Sequence, residues 1–162
     1  MARKDIQLLA HLMRRAGFGA TREELDVMAN QGYQATLDSL LDTSNPTSLS
    51  DHLIRRYPPE QSGMLGPYAP GETWLYRMTT TNAPLLEKMS LFWHGVFATG
   101  YNKVINGKVM SDQIRMFTRY SMGSLKTLLV ELSKDPAMIL WLDNQQNHKG
   151  AINENYGREL LE

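Results

Sequence analysis

"PLLEKMSLFWHGVFAT", Pro84 to Thr99, decides the fold. Its apolar side chains recur at helical spacing. Leu85, Met89, Phe92 and Val96 form one stripe, and Leu86, Trp93 and Phe97 form the next. So wide an apolar surface predicts a helix buried on more than one side, which requires other helices around it. Pro84 suits the first turn, where its missing N–H costs nothing, with Asn82 or Ala83 near the cap. Within the helix, "FWHGVF" sets His94 among three aromatic rings. The imidazole there is open to two readings: a general base or ligand, or a core group that has found a partner.

Working outward, Leu8, Leu9, Leu12 and Met13 predict a helix over 5–15, ended by the glycines of "AGFGA". Thr21 with Glu24 is a capping box, and Gly32 is a stop signal. Leu37, Leu40 and Leu41 give a further short helix, and a weak helix is expected over Asp51–Arg56. "YPPEQSGMLGPYAPG", Tyr57–Gly71, reads as a long loop rich in proline and glycine. A helix resumes at Glu72. "GYNKVINGKV" reads as a turn-rich loop, and "MSDQIRMFTRYSM" as a helix. Ser124 can cap the helix after it, and Asp135–Pro136 is a cap and first-turn pair. "NENYGRELLE" opens with an asparagine cap and a first-turn glutamate. No segment alternates with a period of two. The fold class is all-α, an irregular multi-helix bundle of about seven to nine helices with a long Pro/Gly-rich loop. The last helix lacks a stop signal. Residues 1–162 are therefore expected to be a single helical domain, the truncated N-terminal part of a longer protein.

An apolar fraction of 42% supports a real core. Formal net charge is zero, which argues against a uniformly basic nucleic-acid surface. There are no cysteines, which removes disulfides, thiolate metal sites and cysteine nucleophiles. Gln7, His11, Arg14 and Arg15 interrupt the first apolar run, so no signal peptide is read there, and no stretch has the length of a membrane span.

Chemistry-bearing residues concentrate at two places. On the last helix Glu154, Arg158 and Glu162 follow at i,i+4 steps, and Glu159 lies one residue round from Arg158. The i−4 neighbour of Glu159 is Asn155, so no second ion pair is expected there. The segment is open to reading as a solvated ladder or as a pocket wall with Arg158 as a fixed cation. A Glu-x-x-His pair of the di-metal bundles is missing, so no metal site is assigned. Before this helix, Asp143, Asn144, Gln145, Gln146, Asn147, His148 and Asn153 make a polar hinge, either binding or self-satisfied. Arg15 or Arg119 is the expected partner of Glu159. Nucleotide-loop, zinc-protease and nucleophile-elbow motifs are absent.

The ordered segments "HLMRRAGFGAT", "LLEKMSLFWHGVFAT" and "DPAMILWLDNQQNHKGAINENYGRELLE", with "MG" before "SLKTLL", resemble the bacterial family called domain of unknown function 1800 over almost the whole chain. The resemblance matches His11, Arg15, Gly17, Phe18 and Gly19, the pair Trp93–His94, and Asn153, Glu154, Asn155, Arg158 and Glu159. It departs at Gly157, where alanine is usual, and at Gly95–Val96, where a polar pair often includes a second histidine. That departure weakens any site built on paired histidines. The family pattern runs on past Glu162. The resemblance implies a mainly helical fold and no particular reaction. It also implies export to the periplasm or cell envelope, and a neighbouring uncharacterised exported protein as a partner.

These readings converge on one expectation: the His94 helix faces the Asn153–Glu162 helix across a polar site of an enzyme or ligand-binding protein. The candidate catalytic residues are His94, Glu154 and Glu159. The candidate binding residues are Arg15, Trp93, Asp143, Asn153, Asn155 and Arg158. No cofactor or oligomeric state is assigned. The alternative is a non-enzymatic envelope-associated binding protein that displays Tyr57, Tyr68 and Trp74 on or beside the proline loop.

Overall fold

The computed structural model describes residues 2–46 and 69–162. Among the described residues there are ten α-helices: α1 (Ala2–Ala16), α2 (Arg22–Gln31), α3 (Tyr33–Leu41), α4 (Ala69–Thr80), α5 (Pro84–Val96), α6 (Tyr101–Val104), α7 (Gly107–Tyr120), α8 (Leu125–Lys134), α9 (Pro136–Trp141) and α10 (Asn155–Leu161). A 3-10 turn, Asn144–Gln146, follows α9, and the sole extended pairing among these residues is one isolated bridge, His148 with Ala151. The fold is all-α. The expected Asp51–Arg56 helix and the loop up to Tyr68 lie outside the described residues.

Local chemistry sets most boundaries. The Thr21 hydroxyl accepts from the Glu24 N–H, and the Glu24 carboxylate accepts from the Thr21 N–H, closing the capping box of α2. The Asp135 carboxylate accepts from the Met138 N–H at 2.8 Å, and Pro136 takes the first turn of α9. Ser124 precedes α8 but makes no side-chain cap bond. Four boundaries differ from expectation. "APG" at 69–71 is the first turn of α4 rather than loop, because a proline there removes no helical hydrogen bond. "YNKV" forms the single turn α6, ended by Ile105 at φ 47°. Helix α7 starts at Gly107, because the Asn106 side chain caps it by accepting from the Val109 N–H at 3.1 Å. Helix α10 starts one residue late: Asn153 Oδ1 accepts from the Asn155 N–H at 2.9 Å, and Glu154 caps nothing through its side chain.

One core cluster joins α1, α2 and α3 through Leu9, Met13, Leu25 and Leu40. A second gathers Phe117, Leu128, Leu132 and Met138, with Trp93, Phe97, Trp141 and Tyr156 packed on it. Helix α7 is the hub, touching α4, α5, α6, α8 and α9, while α5 links it to α1 and α3. Gly17 makes that link close: a Cβ there would sit 3.2 Å from the Pro84 ring at the start of α5. Helix α5 is buried on more than one side, as its pattern predicts, though not every apolar residue on it is covered. Leu86, Glu87 and Ser90 are buried, but Phe92 and Val96 remain exposed. The face lost to apolar packing is a polar one, described next.

Candidate functional site

Glu87, Ser90 and His94 share one face of α5 at i, i+3 and i+7, and this face meets α4 and α7. The Glu87 carboxylate, 4% exposed, accepts from Trp74 Nε1 at 3.0 Å and from Arg77 Nε at 3.0 Å, with Arg77 Nη2 closing a further bond. Arg77 Nη2 also donates to the Thr118 hydroxyl at 2.8 Å, which lies 3.3 Å from Ser90 Oγ. A buried ion pair is thus enclosed by an indole, a guanidinium and two hydroxyls, leaving few lone pairs unsatisfied. A second buried chain runs from the Thr99 hydroxyl to Gln113 Oε1 at 2.5 Å, and from Gln113 Nε2 to Asp135 Oδ2 at 2.8 Å. Burial raises the Asp135 pKa against the pull of these donors.

His94 stands beside the first network. Its ring makes edge contacts with Trp74 at 5.3 Å and Phe117 at 6.0 Å. Its Nδ1 is buried without a hydrogen-bond partner, and desolvation lowers its pKa below the ordinary 6.5. The imidazole is therefore neutral near pH 7. Trp93 turns to the other side of α5. It donates from Nε1 to the Ser121 carbonyl at 3.1 Å and stacks on Phe97 at 5.7 Å.

The hinge before α10 satisfies itself. Asp143, at φ 60°, takes a 2.8 Å bond from Lys103 Nζ, which also holds the Trp141 carbonyl at 2.6 Å. Asn147 Nδ2 donates to Asn144 Oδ1 at 3.1 Å, and His148 Nδ1 lies 2.9 Å from the Gln146 carbonyl. Asn153 spans the hinge: its N–H reaches Asn147, its Nδ2 the Leu142 carbonyl, and its Oδ1 the Asn155 N–H. On α10, Arg158 lies 4.0 Å from Glu154 and 3.4 Å from Glu159. The second contact was not expected. It forms between sequence neighbours, where the long guanidinium bends across one residue. Glu154 points outward, with its side chain 85% exposed.

Helix α10 meets the C-terminal end of α5 across a cleft of about 90 Å³. Val96, Phe97 and Ala98 form one wall, and Tyr156, Glu159 and Leu160 form the other. Leu132, Met138, Trp141 and Leu142 form the floor. The Tyr156 hydroxyl is buried beside the Ser133 hydroxyl, which donates to the Val130 carbonyl at 2.7 Å and keeps its oxygen free to accept. Burial raises the pKa of the phenol. Gly100 seats the Trp141 ring: a Cβ there would lie 3.2 Å from it.

The predicted residues therefore divide. Asp143, Asn153, Asn155, Arg158 and Glu159 gather around the hinge and α10. His94 lies on Trp74 and Phe117, and no hydrogen bond or ring contact joins it to Glu154, Arg158 or Glu159. Arg15 is exposed on α1, and Arg119 sits over the Tyr120 ring at 5.6 Å, so neither is the partner of Glu159. Trp74 is buried rather than displayed, and Tyr57 and Tyr68 lie outside the described residues. Glu87, Arg77, Gln113 and Tyr156 were missed. The polar i, i+3, i+7 spacing of Glu87, Ser90 and His94 on an apolar helix was the signal for the first of these.

No helix among the described residues is long and apolar enough to cross a membrane. No curated protein and no solved structure matches the chain. The family described as "Protein of unknown function (DUF1800)" matches residues 11–162. That span takes in the α1 turn, the His94 helix with its buried ion pair, and the whole of the hinge and α10, and the chain belongs to this family.

Proposed function

We propose that the chain is a ligand-binding or enzymatic module whose site is the cleft between the end of α5 and α10. One observation carries the reading: a cleft that gathers Glu159 with three aromatic residues, Phe97, Trp141 and Tyr156, among aliphatic ones. Sites of this kind pair apolar walls with a few polar groups. In this reading Glu159 and Tyr156 meet the ligand, Arg158 and Asn155 hold Glu159 in place, Asn153 ties α10 to the end of α9 through the Leu142 carbonyl, and Asp143 ties the hinge to Lys103 on α6. His94 serves the α4–α5–α7 junction behind the cleft's α5 wall.

NMR with a fragment library, observed on both fragment and protein signals, tests this, using the wild type and Ala98→Trp. Ala98 is exposed and lines the cleft, so the larger ring should fill the space without entering the core. Fragments should bind the wild type and shift the Tyr156 and Trp141 resonances. They should lose affinity for Ala98→Trp at an unchanged melting temperature. Equal binding to both proteins would place the ligand elsewhere and sink the reading.

A further inference from the structure

We propose that the α5–α10 cleft takes a small alkylated organic cation, a substituted ammonium group. This rests on the reading of that cleft as a ligand site. Among the described residues Glu159 is the only one lining it that carries a charge, and no lysine, arginine or histidine lines it. Three aromatic side chains from three separate segments line it: Phe97 after α5, Trp141 at the end of α9 and Tyr156 on α10. Aromatic faces attract a cation through the ring quadrupole, and cages of such rings are the common means of holding quaternary ammonium groups. Helix α5 ends at Val96, which lines the cleft, so the negative pole of a helix of 13 residues adds to the carboxylate.

The apolar remainder argues for alkyl substituents. Val96, Leu132, Met138, Leu142 and Leu160 offer methyl groups an apolar surface and a bare metal ion no side-chain oxygen. At about 90 Å³ the space suits a headgroup rather than a whole drug-sized molecule, which needs at least roughly 300 Å³. Arg158 does not close the site. It lies 3.4 Å from Glu159, both side chains are about half exposed, and it is absent from the lining, so the carboxylate can meet an incoming cation with Arg158 still beside it.

The probes are tetramethylammonium, choline, and 3,3-dimethylbutan-1-ol, the uncharged carbon analogue of choline. Titration is followed at the Trp141 indole N–H by NMR. Both cations should shift this signal saturably, and the neutral analogue should bind about tenfold more weakly or worse. Trp141→Leu, followed at the Tyr156 ring signals because the indole is gone, should weaken tetramethylammonium roughly 2- to 30-fold through loss of the ring. Glu159→Gln, a surface change without risk to the core, should weaken it about 2- to 5-fold. Phosphatidylcholine vesicles separate the sources: binding to vesicles without response to free choline would assign the cation to a lipid headgroup, and response to free choline to a soluble ligand. Equal binding of the neutral analogue would overturn the cation class and leave the cleft as a site. Silence to all three probes, with library fragments still bound there, would do the same. Silence to probes and fragments alike would overturn both readings.

Discussion

Glu87→Ala is expected to be among the most damaging single substitutions in this chain, although Glu87 is one surface-type residue on an apolar helix. Its carboxylate is 4% exposed and accepts from Trp74 Nε1 and Arg77 Nε, each at 3.0 Å, and from Arg77 Nη2. Truncation leaves the Arg77 guanidinium, 17% exposed, with Thr118 as its remaining partner. Breaking one side of a buried pair costs about 3–5 kcal/mol, because the other charge stays buried. For a chain of this size that lowers the melting midpoint by roughly 6–20 °C. The double change Glu87→Met with Arg77→Met removes both charges and restores apolar volume. It leaves the Trp74 N–H as the main orphan, at about 1–3 kcal/mol. The double variant should therefore be more stable than Glu87→Ala, with a favourable coupling in the double-mutant cycle. Urea denaturation of the wild type, Glu87→Ala, Glu87→Met, Arg77→Met and the double variant measures this. A Glu87→Ala cost under about 1 kcal/mol, or a double variant no better than the single one, would refute the argument that desolvated charge dominates this junction.

His94 gives a pH dependence with a definite sign. Its folded pKa lies below 6.5, so under acid conditions the unfolded chain takes up a proton that the folded chain refuses. Its contribution to stability is present above 6.5 and is lost as pH falls from there toward the lowered folded value. The wild-type denaturation midpoint should fall more steeply than that of His94→Leu in that window, and parallel curves would show the imidazole to be solvated. Ile105 is β-branched at φ 47° and 70% exposed, so Ile105→Gly should stabilise by about 1 kcal/mol in thermal melts, because relief of left-handed strain outweighs the entropy of glycine. A loss instead would show that the exposed side chain makes contacts worth more than the strain.

The helices themselves were largely legible. The apolar periodicity of Pro84–Thr99, the Thr21–Glu24 box and the Asp135–Pro136 start are local signals, each satisfied within one or two turns of chain. The boundaries that moved were also local, but turned on a single side chain. Asn106 capping Val109 and Asn153 capping Asn155 each shift an end by the reach of one amide. The burial of α5 on more than one side was legible too, but not which apolar residues stay uncovered, because hydrophobicity does not say which side of a helix has neighbours.

By itself the sequence determined an all-α chain, its helix order and its membership of a family through motifs spread over residues 11–162. Only the tertiary structure decided which polar groups meet. Glu87 and Arg77 are 10 residues apart, Arg77 and Thr118 are 41 apart, and Lys103 and Asp143 are 40 apart. Helical spacing carries no information about pairs on different helices. It placed His94 and Glu159 on helices and expected Glu154 on the last helix too, where it is instead the cap. It could not say that α5 turns its histidine toward Trp74 and Phe117, while its far end, at Val96 and Phe97, is what meets Tyr156 and Glu159. The rotation of each helix about its axis is set by the summed packing of its neighbours, and that sum exists only once the chain has folded.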